Sequence, residues 1–300
     1  MSGAPLPALA DEELERLEAM VVDALRRGQE GDLPVLGYGE ISLVLGWPPE
    51  HPALACKRLP PFPSRERFDA YRGTLLGYIK RLSGAGVHVV PTEMRGVDLA
   101  DGRVAAYLLQ PLLPTAQLAP EVLRRSDPEA GHPLVDALVE AAERTIGPLL
   151  GLDAQLSNWA WDGARLTYLD VSTPLAWDAS GRTQLDLDLL AQAYPAALRP
   201  ALRRYVAPRI LDSYRDLRAV YLDLAGNLLK ERLEQWIGVF LEAIGDRVDP
   251  PIDPGEVHRY YRSDARLWEA LLLIRRLDRA WRRRIRRRPY PFLLPGRIER

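Results

Sequence analysis

A hairpin signal near the middle of the chain constrains the fold more than any other stretch. Two short apolar segments flank the turn pair Asp162-Gly163, and Asp-Gly between apolar runs favours a two-stranded hairpin. Asp153 and Asn158 lie before this hairpin, and Asp170 lies just after it. Because the two ends of a hairpin are neighbours in space, the sequence predicts that these three side chains meet. Their carboxylate and amide oxygens are of the kind that Mg²⁺ accepts together with phosphate oxygens.

Before the hairpin, helix and strand patterns alternate. An amphipathic helix is predicted from Asp11, as its N-cap, to about Gly28, and Ser64 is predicted to cap a second helix that ends near Leu82. Five strand patterns surround the second helix, at residues 33–36, 41–45, 53–57, 92–97 and 104–109. Residues 110–114 contain two prolines and are predicted to form a linker.

After the linker, the patterns are mainly helical. The fold class that follows is α+β, with a small β-rich N-terminal lobe and a larger, mainly helical C-terminal lobe. The predicted divisions are a helical extension at residues 1–30, a lobe of five strands and one helix at residues 31–112, and a helical lobe at residues 113–300 that contains the hairpin.

Charge and cysteine content limit the class of protein. The net charge of −1 argues against a general nucleic-acid binder. The single cysteine, Cys56, excludes an internal disulfide framework and fits a reducing compartment, and its position predicts a core side chain. Neither a leader pattern nor an apolar run of roughly 18 residues occurs. We therefore expect a cytoplasmic protein without a transmembrane segment.

The last predicted helix is rich in arginine. From Leu271 to Arg300, eleven arginines face only Asp278 and Glu299, which gives this segment a charge of +9 and the preceding residues about −10. One interpretation is an anionic partner, such as nucleic acid, an acidic lipid surface or an acidic substrate. The other is pairing with acidic groups of the same chain. The arginines of the predicted helix are Arg275, Arg276, Arg279, Arg282, Arg283, Arg284, Arg286, Arg287 and Arg288.

Three residue types in the N-terminal part are candidates for binding phosphate. Gly37 and Gly39 lie between the first two strand patterns, Ser42 follows them, and Lys57 ends the third strand pattern. A glycine-containing turn can bring backbone N–H groups to phosphates, and a lysine can neutralise them. An ordinary hairpin turn and a solvated lysine explain the same residues when each is taken alone.

In this order, the elements and residues resemble the protein-kinase-like superfamily, in its aminoglycoside-phosphotransferase-like or small-molecule-kinase branch. The resemblance covers residues 33–174. It implies a bilobal fold that uses ATP and Mg²⁺. Asp153 and Asn158, with four residues between them, match the catalytic-loop pattern of the family, and Asp170 matches its metal-binding aspartate.

The resemblance also implies a role for each candidate residue. Gly37, Gly39 and Ser42 would cover the phosphates of ATP, with Ser42 where the family has its third glycine. Lys57 would contact the α- and β-phosphates. The remaining candidates belong to the hairpin: Asp153 would orient or deprotonate an acceptor hydroxyl, and Asn158 and Asp170 would hold Mg²⁺.

Several positions depart from the family pattern. Gly151 and Leu152 precede Asp153 where protein kinases have His-Arg, and Val171-Ser172 follow Asp170 where they have Phe-Gly. No glutamate of the second predicted helix is well placed to pair with Lys57, since Glu66 comes early and Asp69 is the nearest later acid. The leading hypothesis is transfer of the γ-phosphoryl group of ATP to a hydroxyl of an unknown small-molecule acceptor. The alternatives are a catalytically inactive nucleotide-binding or protein-interaction module and, third, transfer of AMP to a protein.

Overall fold

The structure is a computed structural model that describes residues 5–28, 31–39, 42–192 and 194–285. Its strands are β1 (Val35–Tyr38), β2 (Leu43–Trp47), β3 (Leu54–Arg58), β4 (His88–Val89), β5 (Glu93–Asp98), β6 (Val104–Pro111), β7 (Trp159–Trp161) and β8 (Leu166–Tyr168). Its α-helices are α1 (Asp11–Arg27), α2 (Arg65–Gly84), α3 (Ala119–Arg124), α4 (Pro133–Thr145), α5 (Leu187–Ala191), α6 (Arg199–Ala201), α7 (Ala207–Ser213), α8 (Leu217–Lys230), α9 (Ile237–Ile244) and α10 (Pro254–Arg284).

Helix α1 begins one residue away from the predicted cap. The N-cap is Ala10, whose backbone is extended and whose N–H donates to Glu13 Oε2 at 3.2 Å. Asp11 is therefore the first helical residue, where a negative charge favours the positive end of the helix dipole. At the other end Gly28 closes the helix with a left-handed φ of 71°, a conformation that glycine adopts without steric cost.

Five antiparallel strands form the main sheet, in the order β1-β2-β3-β6-β5. Helix α1 covers one face, where Leu17 and Val21 pack in one cluster with Cys56 and other sheet residues. Lys57 alternates with Cys56 along β3 and so points to the opposite face. The prediction that Cys56 is a core residue is confirmed, since its side chain is fully buried.

A buried ion pair attaches α1 to the sheet. Arg58 donates from Nε to Glu18 Oε2 and from Nη2 to Glu18 Oε1, both at 2.7 Å. Tyr107 Oη on β6 donates to Glu18 Oε2 at 2.6 Å. All three side chains are buried, so the two charges are shielded from water and satisfied by each other and by one hydroxyl.

Helix α2 begins as the sequence predicts. Ser64 has an extended backbone and its Oγ accepts from the N–H of Arg67 at 3.3 Å. The helix packs its apolar side, which includes Phe68 and Leu75, in one core cluster with Met94 and Leu108 of the sheet.

The predicted hairpin is present as β7 and β8. Gly163 has a φ of 98°, and Asp162 Oδ1 accepts from the N–H groups of Ala164 and Arg165 at 3.0 and 2.8 Å. These contacts are why the Asp-Gly pair reverses the chain. Strand β4 adds to this hairpin, parallel to β8, and makes a second, three-stranded sheet that the sequence did not indicate.

The remainder of the described chain is mainly helical. Helix α6 continues through a π-helical segment (Leu202–Val206) into α7. The core beneath α2 continues without interruption through residues of α4, α8 and α9. The architecture is therefore α+β, with a five-stranded sheet and a helical remainder, while the division into two lobes at residue 112 stays a prediction. Over the described ranges, none of the helices combines the length and the apolar character that a membrane span requires.

Candidate functional site

Lys57 and Asp170, which lie 113 residues apart, meet at one face of the main sheet. Lys57 Nζ donates to Asp170 Oδ1 at 2.7 Å, and the two side chains are 14% and 30% exposed. Ser172 donates to the same oxygen from its backbone N and its Oγ, at 3.0 and 2.6 Å. Burial raises the pKa of Asp170, but the charge and hydrogen bond of Lys57 and the bonds from Ser172 outweigh it and lower that pKa. The carboxylate is thus held in its charged form.

Asn158 connects the two ends of the hairpin. It ends a short 3₁₀ turn (Leu156–Asn158), and its carbonyl oxygen accepts from the N–H of Leu169 at 2.8 Å. Its side-chain Nδ2 donates to the backbone oxygen of Asp153 at 3.2 Å. The amide is therefore oriented with its nitrogen toward the Asp153 backbone, which leaves the amide oxygen as the group that can meet a cation.

Asp153 is a carboxyl group whose proton affinity is unusually high. Its pKa rises from an ordinary 3.8 to about 7, first because of burial and then because of the charges of Asp223 and Asp170. Its Oδ1 accepts from the N–H of Gln155 at 3.3 Å, which opposes the rise. A carboxyl group with this pKa is divided between its two protonation states near neutral pH.

Asp223 on α8 is a site residue that the sequence reasoning missed. Tyr260 Oη on α10 donates to Asp223 Oδ1 at 2.8 Å. Burial raises the pKa of Asp223, with a further rise from Asp264 and an opposing effect of the Tyr260 hydrogen bond. The charge of Asp223 thus contributes to the raised pKa of Asp153, although the two residues belong to separate parts of the chain.

Helix α8 also holds the loop that carries Asp153. Asn227 Oδ1 accepts from the N–H of Leu156 at 3.0 Å, and Asn227 is buried. Lys230 Nζ donates to Gln155 Oε1 at 3.4 Å. Asp223 and Asn227 are four residues apart and so share one side of the helix. A polar residue between Gly226 and Leu228, inside an apolar helical pattern, is the sequence signal that could have indicated this role.

Gly151 is required by close packing two residues before Asp153. A Cβ at this position would lie 2.7 Å from the backbone oxygen of Tyr214 and 3.0 Å from the Trp177 ring. Tyr78 Oη on α2 donates to the Gly151 carbonyl oxygen at 3.1 Å. A larger residue at this point would require these neighbours to move.

Helix α2 contributes hydroxyl groups to the site. Tyr71 Oη donates to the backbone oxygen of Ser172 at 2.6 Å, next to the Lys57–Asp170 pair. Asp69 instead contacts Arg72 of its own helix, at 3.1 Å. The carboxylate that Lys57 contacts is therefore Asp170, after the hairpin, and not an acid of this helix.

The glycine segment differs in part from the predicted turn. Gly37 lies inside β1, opposite Val44, and Val44 in turn lies opposite Lys57. The N–H of Gly39 donates to the Ser42 backbone oxygen at 3.0 Å, and a Cβ on Gly39 would fall 2.3 Å from Ser42 Oγ. Residues 40 and 41 lie outside the described residues. With strands about 4.8 Å apart, Gly37 is roughly 10 Å from Lys57 across the sheet.

Gln110 lies in a strand, although the sequence pattern predicts that it belongs to a linker. The predicted linker at residues 110–114 is wrong at its start, because Gln110 and Pro111 pair with Ala55 and Leu54 as the end of β6. Gln110 Nε2 donates to the Leu169 backbone oxygen at 2.8 Å. It thereby attaches the main sheet to the residue that precedes Asp170.

The arginines of α10 have more than one environment. Arg282 Nε contacts Asp278 of the same helix at 2.9 Å, and pairing of these arginines with the acidic remainder of the chain stays a prediction. Arg275 is buried. Arg286, Arg287 and Arg288 lie outside the described residues.

The hairpin residues offer a donor set for a hard cation. In the part of the chain that the structure describes, no three His, Cys, Asp or Glu side chains cluster as metal ligands. Asn158 and Asp170 offer an amide and a carboxylate oxygen instead. Such a pair suits Mg²⁺, which keeps several waters and takes phosphate oxygens from its substrate.

Comparison with known proteins gives a family but no activity. No curated protein matches the chain. One solved structure, WaaP in complex with acyl carrier protein, is 20% identical in sequence and covers 76% of this chain and 98% of its own, with a TM-score of 0.34. A model described as a family of unknown function (DUF6206) matches residues 16–279, and the chain belongs to this family.

Proposed function

We propose that this protein is an ATP- and Mg²⁺-dependent phosphotransferase that acts on a hydroxyl group of a small molecule. The observation that carries the proposal is the 2.7 Å contact between Lys57 Nζ and Asp170 Oδ1. It brings a cation of the main sheet to one end of the hairpin, and Asp153 and Asn158 lie in the segment that leads into the other end. A site for a metal-bound polyphosphate needs a cation for the phosphates and oxygen ligands for the metal on opposite sides. The proposed fold is the bilobal protein-kinase-like one, in its aminoglycoside-phosphotransferase-like branch.

The nucleotide is proposed to lie on the Lys57 face of the sheet. Gly37, Gly39 and Ser42 present backbone and hydroxyl groups to its phosphates, and Lys57 neutralises their charge. Val44 and Ala55 lie on the same face and are only partly buried, so they offer an apolar surface for the base.

Asn158 and Asp170 are proposed to hold Mg²⁺. The ion, when bound, supplies positive charge to the transferring phosphoryl group. Lys57 and Ser172 converge on Oδ1 of Asp170, and the carboxylate has its second oxygen, Oδ2, with which to meet the ion. The bonds to Oδ1 fix the rotamer of Asp170 before any ligand arrives.

Asp153 is proposed to receive or orient the proton of the acceptor hydroxyl. A pKa of about 7 lies in the range in which a carboxylate both accepts a proton and releases it again near neutral pH. The contacts from Asn227 and Tyr78 to its loop fix the position of the group. Phosphoryl transfer depends on such positioning more than on covalent help from the protein.

A thermal-shift titration tests nucleotide binding. ATP with Mg²⁺ at about 100 times Kd stabilises a protein by about 2.7 kcal/mol, which for a chain of this size raises Tm by about 5 °C. We expect this shift in the wild type and its loss in Asp170→Asn. Asp178→Asn is the matched control, because Asp178 accepts the same two bonds from Ser180 and is similarly exposed, but is not one of the proposed site residues.

Turnover tests the chemistry separately. ATP consumption with a panel of hydroxylated small molecules is expected to fall at least a hundredfold in Asp153→Asn, while the thermal shift with ATP is kept. Lys57→Met is expected to lose both, and the exposed Lys80→Met neither. A wild type without an Mg²⁺-dependent shift would refute the proposal.

One observation favours a second candidate, a catalytically inactive nucleotide-binding or protein-interaction module. Lys57 is bonded to the carboxylate that would hold the metal, and α2 supplies Tyr71 instead of an acid to separate them. If this closed pair is the functional state, ATP binds without Mg²⁺ dependence or not at all, and Asp153→Asn has no turnover to lose.

A further inference from the structure

The second half of α10 has an exposed apolar stripe. Leu273, Leu277, Trp281 and Ile285 follow one another at intervals of four residues, and each is more than half exposed. On the opposite side of the helix, Leu271 and Arg275 are buried. Since 3.6 residues make one turn, the four apolar side chains form a continuous, slowly winding strip. We call these four residues the α10 stripe.

The segment that contains the α10 stripe is positively charged. From Leu271 to Ile285, six arginines and one acid, Asp278, give a net charge of +5. The helical repeat places Arg266 and Arg284 on the same side of the helix as Leu273 and Leu277, and both arginines are exposed.

We propose that α10 lies on the surface of a bilayer that contains anionic lipids, with the α10 stripe inserted at the headgroup boundary. A helix with arginine beside an apolar face that includes tryptophan has the composition of interfacial helices. The stripe gains by leaving water, and the arginines gain from the lipid phosphates.

Two other partners, a nucleic acid and a second copy of the chain, each fit either the charge or the apolar side chains of this surface, but not both. A nucleic acid would contact the arginines and leave four large apolar side chains in water. A second copy of the chain would cover the stripe but bring one charge of +5 against another. Charge over the whole chain agrees with a lipid surface, because residues 271–300 carry +9 and the preceding residues −10. In net charge, the sequence from residue 271 onward is the part that an anionic surface attracts.

Vesicle flotation with the full chain tests the proposal. We expect binding to vesicles of phosphatidylcholine mixed with phosphatidylglycerol, and much weaker binding to phosphatidylcholine alone. Leu277→Ser/Trp281→Ser should weaken binding to the anionic vesicles at least tenfold, since burial of a large apolar side chain contributes about 1.5–3 kcal/mol. Arg266→Ser/Arg284→Ser should weaken it about tenfold or more, at about 1 kcal/mol per charge.

Matched variants distinguish vesicle binding by the α10 stripe from nonspecific binding by other parts of the surface. Leu76→Ser removes a leucine of α2 that is also more than half exposed, and Arg26→Ser/Arg209→Ser removes the same charge from exposed positions elsewhere. Both should bind vesicles as the wild type does. Equal binding by the α10 and control variants overturns the proposal, as does tighter binding to DNA or RNA that survives Leu277→Ser/Trp281→Ser. Dimerisation that the same variant abolishes, without vesicle binding, also overturns it.

A fluorescent probe reports insertion directly. Cys56 is fully buried, and burial raises its pKa to about 12, so a thiol-reactive dye labels an introduced cysteine selectively. Ala270→Cys, on the side of the α10 stripe, should show a blue shift of an environment-sensitive dye when anionic vesicles are added. Leu76→Cys should show none. Vesicle binding without a shift at position 270 contradicts insertion of the stripe.

Discussion

Removal of the Glu18 carboxylate is expected to destabilise the protein more than any surface charge does. Glu18→Ala leaves Arg58 without its two 2.7 Å bonds and Tyr107 without its acceptor. Burial opposes the charge of Arg58, but the hydrogen bond and charge of Glu18 outweigh it and raise the Arg58 pKa. The substitution removes these contributions of Glu18, but a guanidinium keeps its charge in proteins at neutral pH, so Arg58 stays charged with no acid to compensate it.

The expected loss follows from the burial of the pair. The Arg58 and Glu18 side chains are 7% and 3% exposed, and breaking a buried pair from one side costs about 3–5 kcal/mol. A domain is stabilised by only about 5–15 kcal/mol in total, so roughly a fifth or more of the stability is at stake. In contrast, Asp23 and Arg27 of the same helix form an exposed pair, and a pair of that kind contributes roughly 0–1 kcal/mol.

Urea unfolding, followed by circular dichroism, measures both losses. We expect Glu18→Ala to lower the unfolding midpoint strongly and Asp23→Ala to leave it almost unchanged. Glu18→Leu/Arg58→Met/Tyr107→Phe removes both charges and the hydroxyl together, and should recover most of the stability because no buried polar group remains unpaired. The reasoning is refuted if Glu18→Ala costs no more than Asp23→Ala, or if the triple variant is less stable than the single one.

Three further predictions concern the loop that carries Asp153. The pKa of Asp153 rises from 3.8 to about 7 on folding, so the free energy of unfolding should fall as pH rises through that interval in metal-free buffer. Urea unfolding at a series of pH values measures this fall, and Asp153→Asn should remove the part of it that Asp153 causes. Asn227→Ala leaves the Leu156 N–H unsatisfied and should lower the free energy of unfolding by about 1–3 kcal/mol. Ser157→Ala, at an exposed position in the same segment, should lower it little in the same assay. Gly151→Ala should cost about 1–3 kcal/mol by overpacking, but Gly147→Ala, where a Cβ meets no atom within 4 Å, should not.

Local patterns predicted the elements that local contacts form. The Asp162-Gly163 turn, the Ser64 cap and the alternation of Cys56 with Lys57 all depend on residues close in sequence, and the structure has each of them. The sequence did not predict the carboxyl end of β6. Proline has no N–H to donate to a neighbouring strand, which favours a position outside β6, but Pro111 is the last paired residue of this strand. Strand β4 has two residues, too few to give a periodic pattern.

The surroundings of Asp153 could not be predicted for a different reason. Asp223 and Tyr260 reach the site from helices that follow it by 70 residues or more, and no local pattern specifies which side of a distant helix will face a loop. The same holds for Gln110, whose contact with the Leu169 carbonyl depends on how the main sheet meets the hairpin. The order of residues along the chain was enough to predict the candidate site residues. The residues that hold them in place became known only from the packing of elements that are distant in sequence.

The two adjacent cations of β3 have a consequence for how the sheet aligns. Lys57 faces Asp170 and Arg58 faces Glu18, on opposite faces of the central strand. A shift of one residue would exchange them, and a lysine cannot form the two-pronged bond that Glu18 makes with Arg58. The misaligned sheet would also turn Leu54 and Cys56 out of the core. Strand β3, which pairs with β2 on one side and β6 on the other, thus favours one register over its neighbours, because its two adjacent charged residues cannot replace each other.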